Sequence, residues 1–261
     1  MRMADLKSVQ LHWREDGSHD GHVVVFANSL GTDLRLWDKI IPLLPIDYRL
    51  IRFDLRGHGL SSCPSGPYSI DELVSDTEDL MDHLDVSSCV FVGLSIGGMI
   101  GQALAARRPD LIKSMVLSNT AAQMGGAKLW QDRVKAIRSS GIEGLSEQIL
   151  DRWFGPDFRD HREVNAWRNM LTRTPVEGYV GCCLAIAEAD LSFTTPTLRL
   201  PTLGIAGTMD GASPPDLVRH TINMIPNARF ELIEGAGHLP CVEKPAQYAD
   251  LLTEFLKETF R

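Results

Sequence analysis

Cysteine is too scarce and too irregularly placed to carry structure here. Cys63, Cys89, Cys182, Cys183 and Cys241 show no C-x-x-C spacing and no even pairing pattern, which argues against a disulfide framework. The eight histidines are scattered, with no His or Cys/His spacing of the metal-binding kind, so no metal site is expected. Basic charge is in deficit as well. With 26 Lys and Arg against 34 Asp and Glu the net charge is −8, which opposes binding to nucleic acid or to an anionic membrane. An anionic small molecule would have to be met by a local cation. Residues Met1 to Trp13 carry Arg2, Asp5 and Lys7 and no apolar core of signal-peptide length, so a cytoplasmic protein with reduced thiols is expected. Repeats and low-complexity tracts are absent. The nearly uncharged stretch from Cys89 to Ala106 approaches membrane-spanning length, but its glycines, Ser95 and Gln102 fit a buried strand and helix better.

What is present is ordinary globular material. A chain of 261 residues that is 44% hydrophobic and 23% charged suits one large α/β domain with an insertion. His22 to Ala27 and Tyr48 to Phe53 read as strands. Ser69 with Glu72 forms a capping box ahead of an amphipathic helix from Ile70 to Leu84. Further strands are expected at Cys89 to Val92, Ser114 to Ser118, Thr202 to Ala206 and Arg229 to Ile233, with helices around Asp216 to Met224 and from Pro245 to Thr259. Strands alternating with helices imply a mostly parallel sheet covered by helices on both faces. From Thr120 to Pro196 the pattern is helix after helix, and three of the five tryptophans (Trp130, Trp153, Trp167) fall there. The expected organisation is therefore a core of residues 1–119 and 197–261 and a helical lid, 120–196, inserted after the strand ending at Ser118.

Chemistry concentrates at Gly93-Leu94-Ser95-Ile96-Gly97, a G-x-S-x-G sequence between a strand and a helix. At such a turn the serine stands on a strained backbone, exposed as a nucleophile, and only glycine leaves room on either side. The Ile96 amide, at the head of the helix, points where charge develops on a carbonyl oxygen under attack. A serine hydroxyl needs a base, and the base needs an orienting carboxylate. Asp210 follows the strand ending at Ala206 and His238 the strand ending at Ile233, in the chain order Ser, Asp, His. Both emerge where ligands bind in open α/β sheets. The rival pair Asp54 and His58 lies upstream of the serine and reads as a structural turn. Asn119, at the end of another strand, could have been a rival acid and is not one. The loop Asn28-Ser29-Leu30-Gly31 offers the Leu30 amide as a second oxyanion donor.

The Asp54 to Ser61 stretch, the Gly93 to Gly98 elbow, Gly207 to Asp210 and Gly237-His238 together resemble the α/β-hydrolase superfamily over essentially the whole chain. Asn28-Ser29-Leu30-Gly31, Trp130-x-x-Arg133, Arg152-Trp153-Phe154 and Glu177-Gly178-Tyr179 resemble the 3-oxoadipate enol-lactonases more narrowly. The resemblance implies an α/β-hydrolase fold and a cofactor-free opening of a small anionic lactone to 3-oxoadipate in aromatic catabolism. It also implies Ser95, Asp210 and His238 as nucleophile, acid and base. The alternatives are another esterase or carbon–carbon bond hydrolase on the same fold, and a slow-turnover ligand receptor. Leu129, Trp130, Val134 and Ile137 form an apolar helical stripe that contains Arg133. A guanidinium there needs a partner. That partner is a lid carboxylate, water, or the carboxylate of a substrate held beside Trp130. Ser29, Trp130 and Arg133 are accordingly the candidate substrate-binding residues.

Overall fold

Eight strands run in chain order as β1 (Arg2–Asp5), β2 (Gln10–Gly17), β3 (Val23–Ala27), β4 (Arg49–Phe53), β5 (Cys89–Leu94), β6 (Ile112–Ser118), β7 (Thr202–Gly207) and β8 (Arg229–Ile233). The computed structural model describes residues 1–260. The strands form a single sheet in the order β1-β2-β4-β3-β5-β6-β7-β8. Pairing is antiparallel from β1 to β2 and from β2 to β4, and parallel elsewhere. Every residue of β5 and β7 is buried, as expected of strands covered on both faces.

The helices are α1 (Ile70–His83), α2 (Ile96–Arg107), α3 (Ala127–Ser140), α4 (Ser146–Trp153), α5 (Pro156–Arg159), α6 (Val164–Thr172), α7 (Val176–Glu188), α8 (Pro215–Ile222), α9 (Pro240–Glu243) and α10 (Pro245–Thr259). The capping box that starts α1 is formed from both sides, Ser69 Oγ accepting from the Glu72 amide and Glu72 accepting from the Ser69 amide. Such a cap stabilises a helix by about 1 kcal/mol. Helix α2 packs on β3, β5 and β6, and α8 on β7 and β8. Between β6 and β7 the chain makes only helices, α3 to α7, with α3 against α7. The two ends of this insertion are joined where the Leu191 amide donates to Ala122 O at 2.9 Å. Among the described residues no helix is long and apolar enough to cross a membrane.

Three sequence expectations need correction. Residues 2–17 carry no strand assignment in the sequence reading, yet they form the β1–β2 hairpin. In β2 only Leu11 and Trp13 are buried, so the alternation is too short to stand out. Leu129 is 47% exposed, which leaves Trp130, Val134 and Ile137 as the buried stripe of α3. Ser95 is strained as expected, at φ 60° and ψ −119°, but only 4% exposed. The helical insertion covers it, so it forms the floor of a cavity rather than a feature of the outer surface.

Candidate active site

The register of the parallel strands brings their carboxyl ends to one edge: Ala27 stands beside Gly93, Leu94 beside Ser118 and Gly207 beside Ile233. The candidate nucleophile, acid, base and oxyanion donors lie just beyond that edge. The loop Asn28–Gly31 follows β3, Ser95 follows β5, Asn119 follows β6, Asp210 follows β7 and His238 follows β8. The elbow depends on its glycines. A Cβ at Gly93 would stand 2.3 Å from Gly97 O, and one at Gly97 would stand 2.3 Å from Ala27 O. Ser95 is held through its own main chain, its amide donating to Ser118 O at 2.9 Å and its carbonyl accepting from the Thr120 hydroxyl, Oγ1, at 2.6 Å.

His238 Nδ1 lies 2.9 and 3.1 Å from the two carboxylate oxygens of Asp210, and both residues are buried. An ionised carboxylate only accepts, so Nδ1 carries a proton, and in the neutral imidazole this leaves the lone pair on Nε2. Burial pushes the Asp210 carboxyl up, but pairing with His238 and hydrogen bonds from His238, Asn119 and Ser213 outweigh it and hold the group below the usual range. Asn119 Nδ2 donates to Asp210 Oδ2 at 2.8 Å, and Ser213 Oγ lies 2.7 Å from the same oxygen. Nε2 of His238 meets Ser29 Oγ at 3.5 Å, and among the described residues Ser95 Oγ has no hydrogen-bond partner. Such contacts are often loose before a substrate arrives.

The amides of Leu30 and Ile96 have no acceptor among the described residues. The Leu30 loop is fixed from behind. Gly31, at φ 79°, donates its amide to His58 Nε2 at 3.0 Å, and His58 Nδ1 donates to Arg56 O at 3.1 Å. Burial lowers the His58 pKa, which keeps that acceptor nitrogen unprotonated. Asn28 and Asp54 complete the brace. Asn28 bonds Phe53 O and Trp37 Nε1, and Asp54 accepts from the Leu34 and Leu60 amides. The Asp54–His58 stretch is therefore structural, as expected.

Ser29, Leu30, Ser95 and His238 line one cavity of about 110 Å³ with Trp130, Arg133, Arg152, Trp153 and Tyr179 from the insertion. Arg133 lies 5.4 Å above the Trp130 ring and donates to Tyr179 Oη at 3.4 Å. Arg152 donates Nε to Gly211 O at 3.1 Å. Burial and then the neighbouring Arg133 charge lower its pKa. Among the described residues neither guanidinium has a carboxylate partner within 4 Å. Arg133 is the residue the helical spacing singles out; Arg152 and Tyr179 stand in quoted motifs, but only the fold turns them into the same cavity. Asn119 and Ser213 bear no sequence sign of serving Asp210. A larger cavity, about 670 Å³, lies between β2 and the end of α6 and contains none of the three central residues; His12 and Asp54 within it are bonded to one another at 2.8 Å.

Comparison with known proteins agrees with this architecture. The profile of the alpha/beta hydrolase fold family matches residues 22–245. The chain is 35% identical over 253 residues to 3-oxoadipate enol-lactonase 2 of Acinetobacter baylyi, spanning 96% of this chain and 94% of that one. It superposes on the crystal structure of the enol-lactonase from Burkholderia xenovorans with a TM-score of 0.95 at 37% identity, covering 98% and 100% of the two chains. A thermophilic esterase from Thermogutta terrifontis, solved with malate bound, gives 0.93 at 27% identity, with 99% of each chain covered. Fold, family profile and near-full-length relatives agree: the chain belongs to the α/β-hydrolase fold family and is a hydrolase similar to the 3-oxoadipate enol-lactonases.

Proposed function

We propose that the protein opens 3-oxoadipate enol-lactone to 3-oxoadipate, with residues 120–196 as a lid that supplies the anion site. The observation that carries this reading is the pair of guanidiniums, Arg133 and Arg152, without carboxylate partners in the cavity of Ser95 and His238. Two like charges lining one cavity raise each other's free energy, and an anionic ligand relieves both. The cavity, at about 110 Å³, suits a small ring rather than a long acyl chain. The relatives that bear the enol-lactonase name, and the related esterase that binds malate, fit the same choice of a small carboxylate.

In the reaction His238 Nε2 takes the Ser95 proton while Oγ attacks the lactone carbonyl, and the Leu30 and Ile96 amides hold the oxyanion. The ring oxygen leaves as an enolate, whose delocalised charge makes it a better leaving group than a simple alkoxide. Water, with His238 again as base, then hydrolyses the acyl-enzyme. Asp210 keeps the imidazole in the tautomer that accepts at Nε2. Arg133 and Arg152 bind the free carboxylate beside Trp130, and Ser29, 3.5 Å from Nε2, borders the reacting carbonyl. The reaction consumes water and needs no cofactor.

The test is the loss of ultraviolet absorbance of 3-oxoadipate enol-lactone on adding pure protein. Many turnovers per protein with equimolar 3-oxoadipate support the reading. A single slow round would mark a receptor on a hydrolase scaffold, and turnover of neutral esters without the lactone would mark a different esterase.

A further inference from the structure

Behind His238 the backbone of its loop lies directly on the backbone of the helical insertion. A Cβ at Gly237 would stand 2.7 Å from Gly155 N and from Trp153 O, and one at Gly155 would stand 2.5 Å from Gly235 O. No side chain fits between the two segments. Amides enclosed this closely need acceptors. The His238 amide finds Trp153 O at 2.8 Å. The Gly237 and Gly155 amides share one acceptor group: Gly237 donates to Oε1 of Glu243 at 2.7 Å, and Gly155 donates to Oε2 at 2.9 Å. Glu243 ends α9, the short helix that begins two residues after His238.

We propose that Glu243 is a positioning residue, bridging the His238 loop to the insertion so that Nε2 is aimed at Ser95. The proposal rests on the serine-hydrolase reading of Ser95 and His238. Its physical basis is that a carboxylate offers two acceptor oxygens to two amides, whereas a glutamine offers one and turns an N–H toward the other. The carboxylate is not placed there for its own stability. Burial pushes its carboxyl up to about 7, against both amide bonds and the nearby Lys244, and Asp210 adds repulsion. The other charged groups around the bridge are engaged elsewhere. Lys39 Nζ holds Val242 O and Glu163, Arg159 Nε holds Phe154 O, and His238 Nδ1 faces Asp210. A glutamine would remove the buried charge and one amide bond together, so its effect should fall on rate rather than on folding.

The experiment compares wild type with Glu243→Gln in two assays that do not depend on the natural substrate: hydrolysis of p-nitrophenyl acetate and the rate of Ser95 labelling by a fluorophosphonate. Misaiming a reacting group costs on the order of 100-fold. The expected result is a fall of about 10- to 100-fold in kcat and in labelling rate, with KM within about twofold and the thermal midpoint within about 3 °C, the shift of roughly 1 kcal/mol in a chain this size. In wild type the rate should also fall as pH drops through about 7 and the bridge is protonated, and that contribution should be missing from the variant. Equal labelling and hydrolysis rates in a folded variant would overturn the proposal. If wild type itself is not labelled, the serine-hydrolase reading fails instead. Should the variant not fold, the Gly155 and Gly237 amide resonances of wild type decide: they titrate together near pH 7 if the bridge exists, and independent behaviour overturns it.

Discussion

The amide of Gly31 donates to Nε2 of His58 at 3.0 Å, and this bond holds the loop whose neighbouring residue, Leu30, lines the cavity. His58→Leu leaves that amide without an acceptor. The expected cost is about 1–3 kcal/mol of stability. A kcat loss of up to about 100-fold should accompany it on charged and neutral substrates alike, the scale of losing one oxyanion donor. Steady-state kinetics on both substrates checks this; a kcat that does not change means the loop does not carry the oxyanion hole.

His58 also makes stability depend on pH. Its folded pKa lies below the ordinary imidazole value of 6.5, because burial disfavours the charged form. Unfolding therefore takes up a proton once pH falls below about 6.5. Its contribution is intact above that value and is lost as pH drops toward the folded pKa. Glu243, pushed up to about 7, acts in the opposite sense between about 4.5 and 7. Urea unfolding of wild type and His58→Leu at pH 7 and pH 5 isolates the histidine: the stability gap between them should narrow at the lower pH.

Ser95 and His238 are predicted to act as a unit. Ser95→Ala should fold normally and lose several orders of magnitude in kcat, and Ser95→Ala with His238→Ala should be little worse than either alone. Rates within about tenfold of wild type in Ser95→Ala would remove the serine from its assigned role.

Asp210 depends on Asn119, whose amide reaches it at 2.8 Å. Asp210→Asn should lower kcat by about 10⁴-fold, since the imidazole then loses the partner that fixes its tautomer. Asn119 sits at φ 48°, which glycine tolerates. Asn119→Gly should keep the backbone and cost about tenfold in kcat, one hydrogen bond to a charged group being worth roughly 1.5 kcal/mol or more. No loss in Asn119→Gly would make that contact incidental.

The features that can be read from the chain are those set by neighbours in sequence. The α1 capping box joins residues three apart, the elbow is five residues long, and the apolar runs of β3, β5 and β7 announce their own burial. Asp210 and His238 are legible because each follows a strand, which fixes the edge at which it emerges. What escapes is set by contacts between distant segments. Asn119 meets Asp210 across 91 positions, and Glu243 meets Gly155 across 88, so neither pattern marks its partner. The β1–β2 hairpin escapes because a strand near the sheet edge buries only Leu11 and Trp13 of its eight residues. Arg133 is visible as a cation on an apolar helix face, whereas Arg152 becomes its companion only when α4 is folded over the serine.

The guanidinium pair leads to the most direct measurement: kcat/KM for 3-oxoadipate enol-lactone and for its neutral methyl ester, determined side by side for wild type, Arg133→Leu and Arg152→Leu. A charge-assisted hydrogen bond contributes roughly 1.5–3 kcal/mol, so each variant should lose about 10- to 150-fold on the charged lactone and change little on the ester. Equal losses on both substrates, or none on either, would contradict the assignment of Arg133 and Arg152 as the carboxylate site.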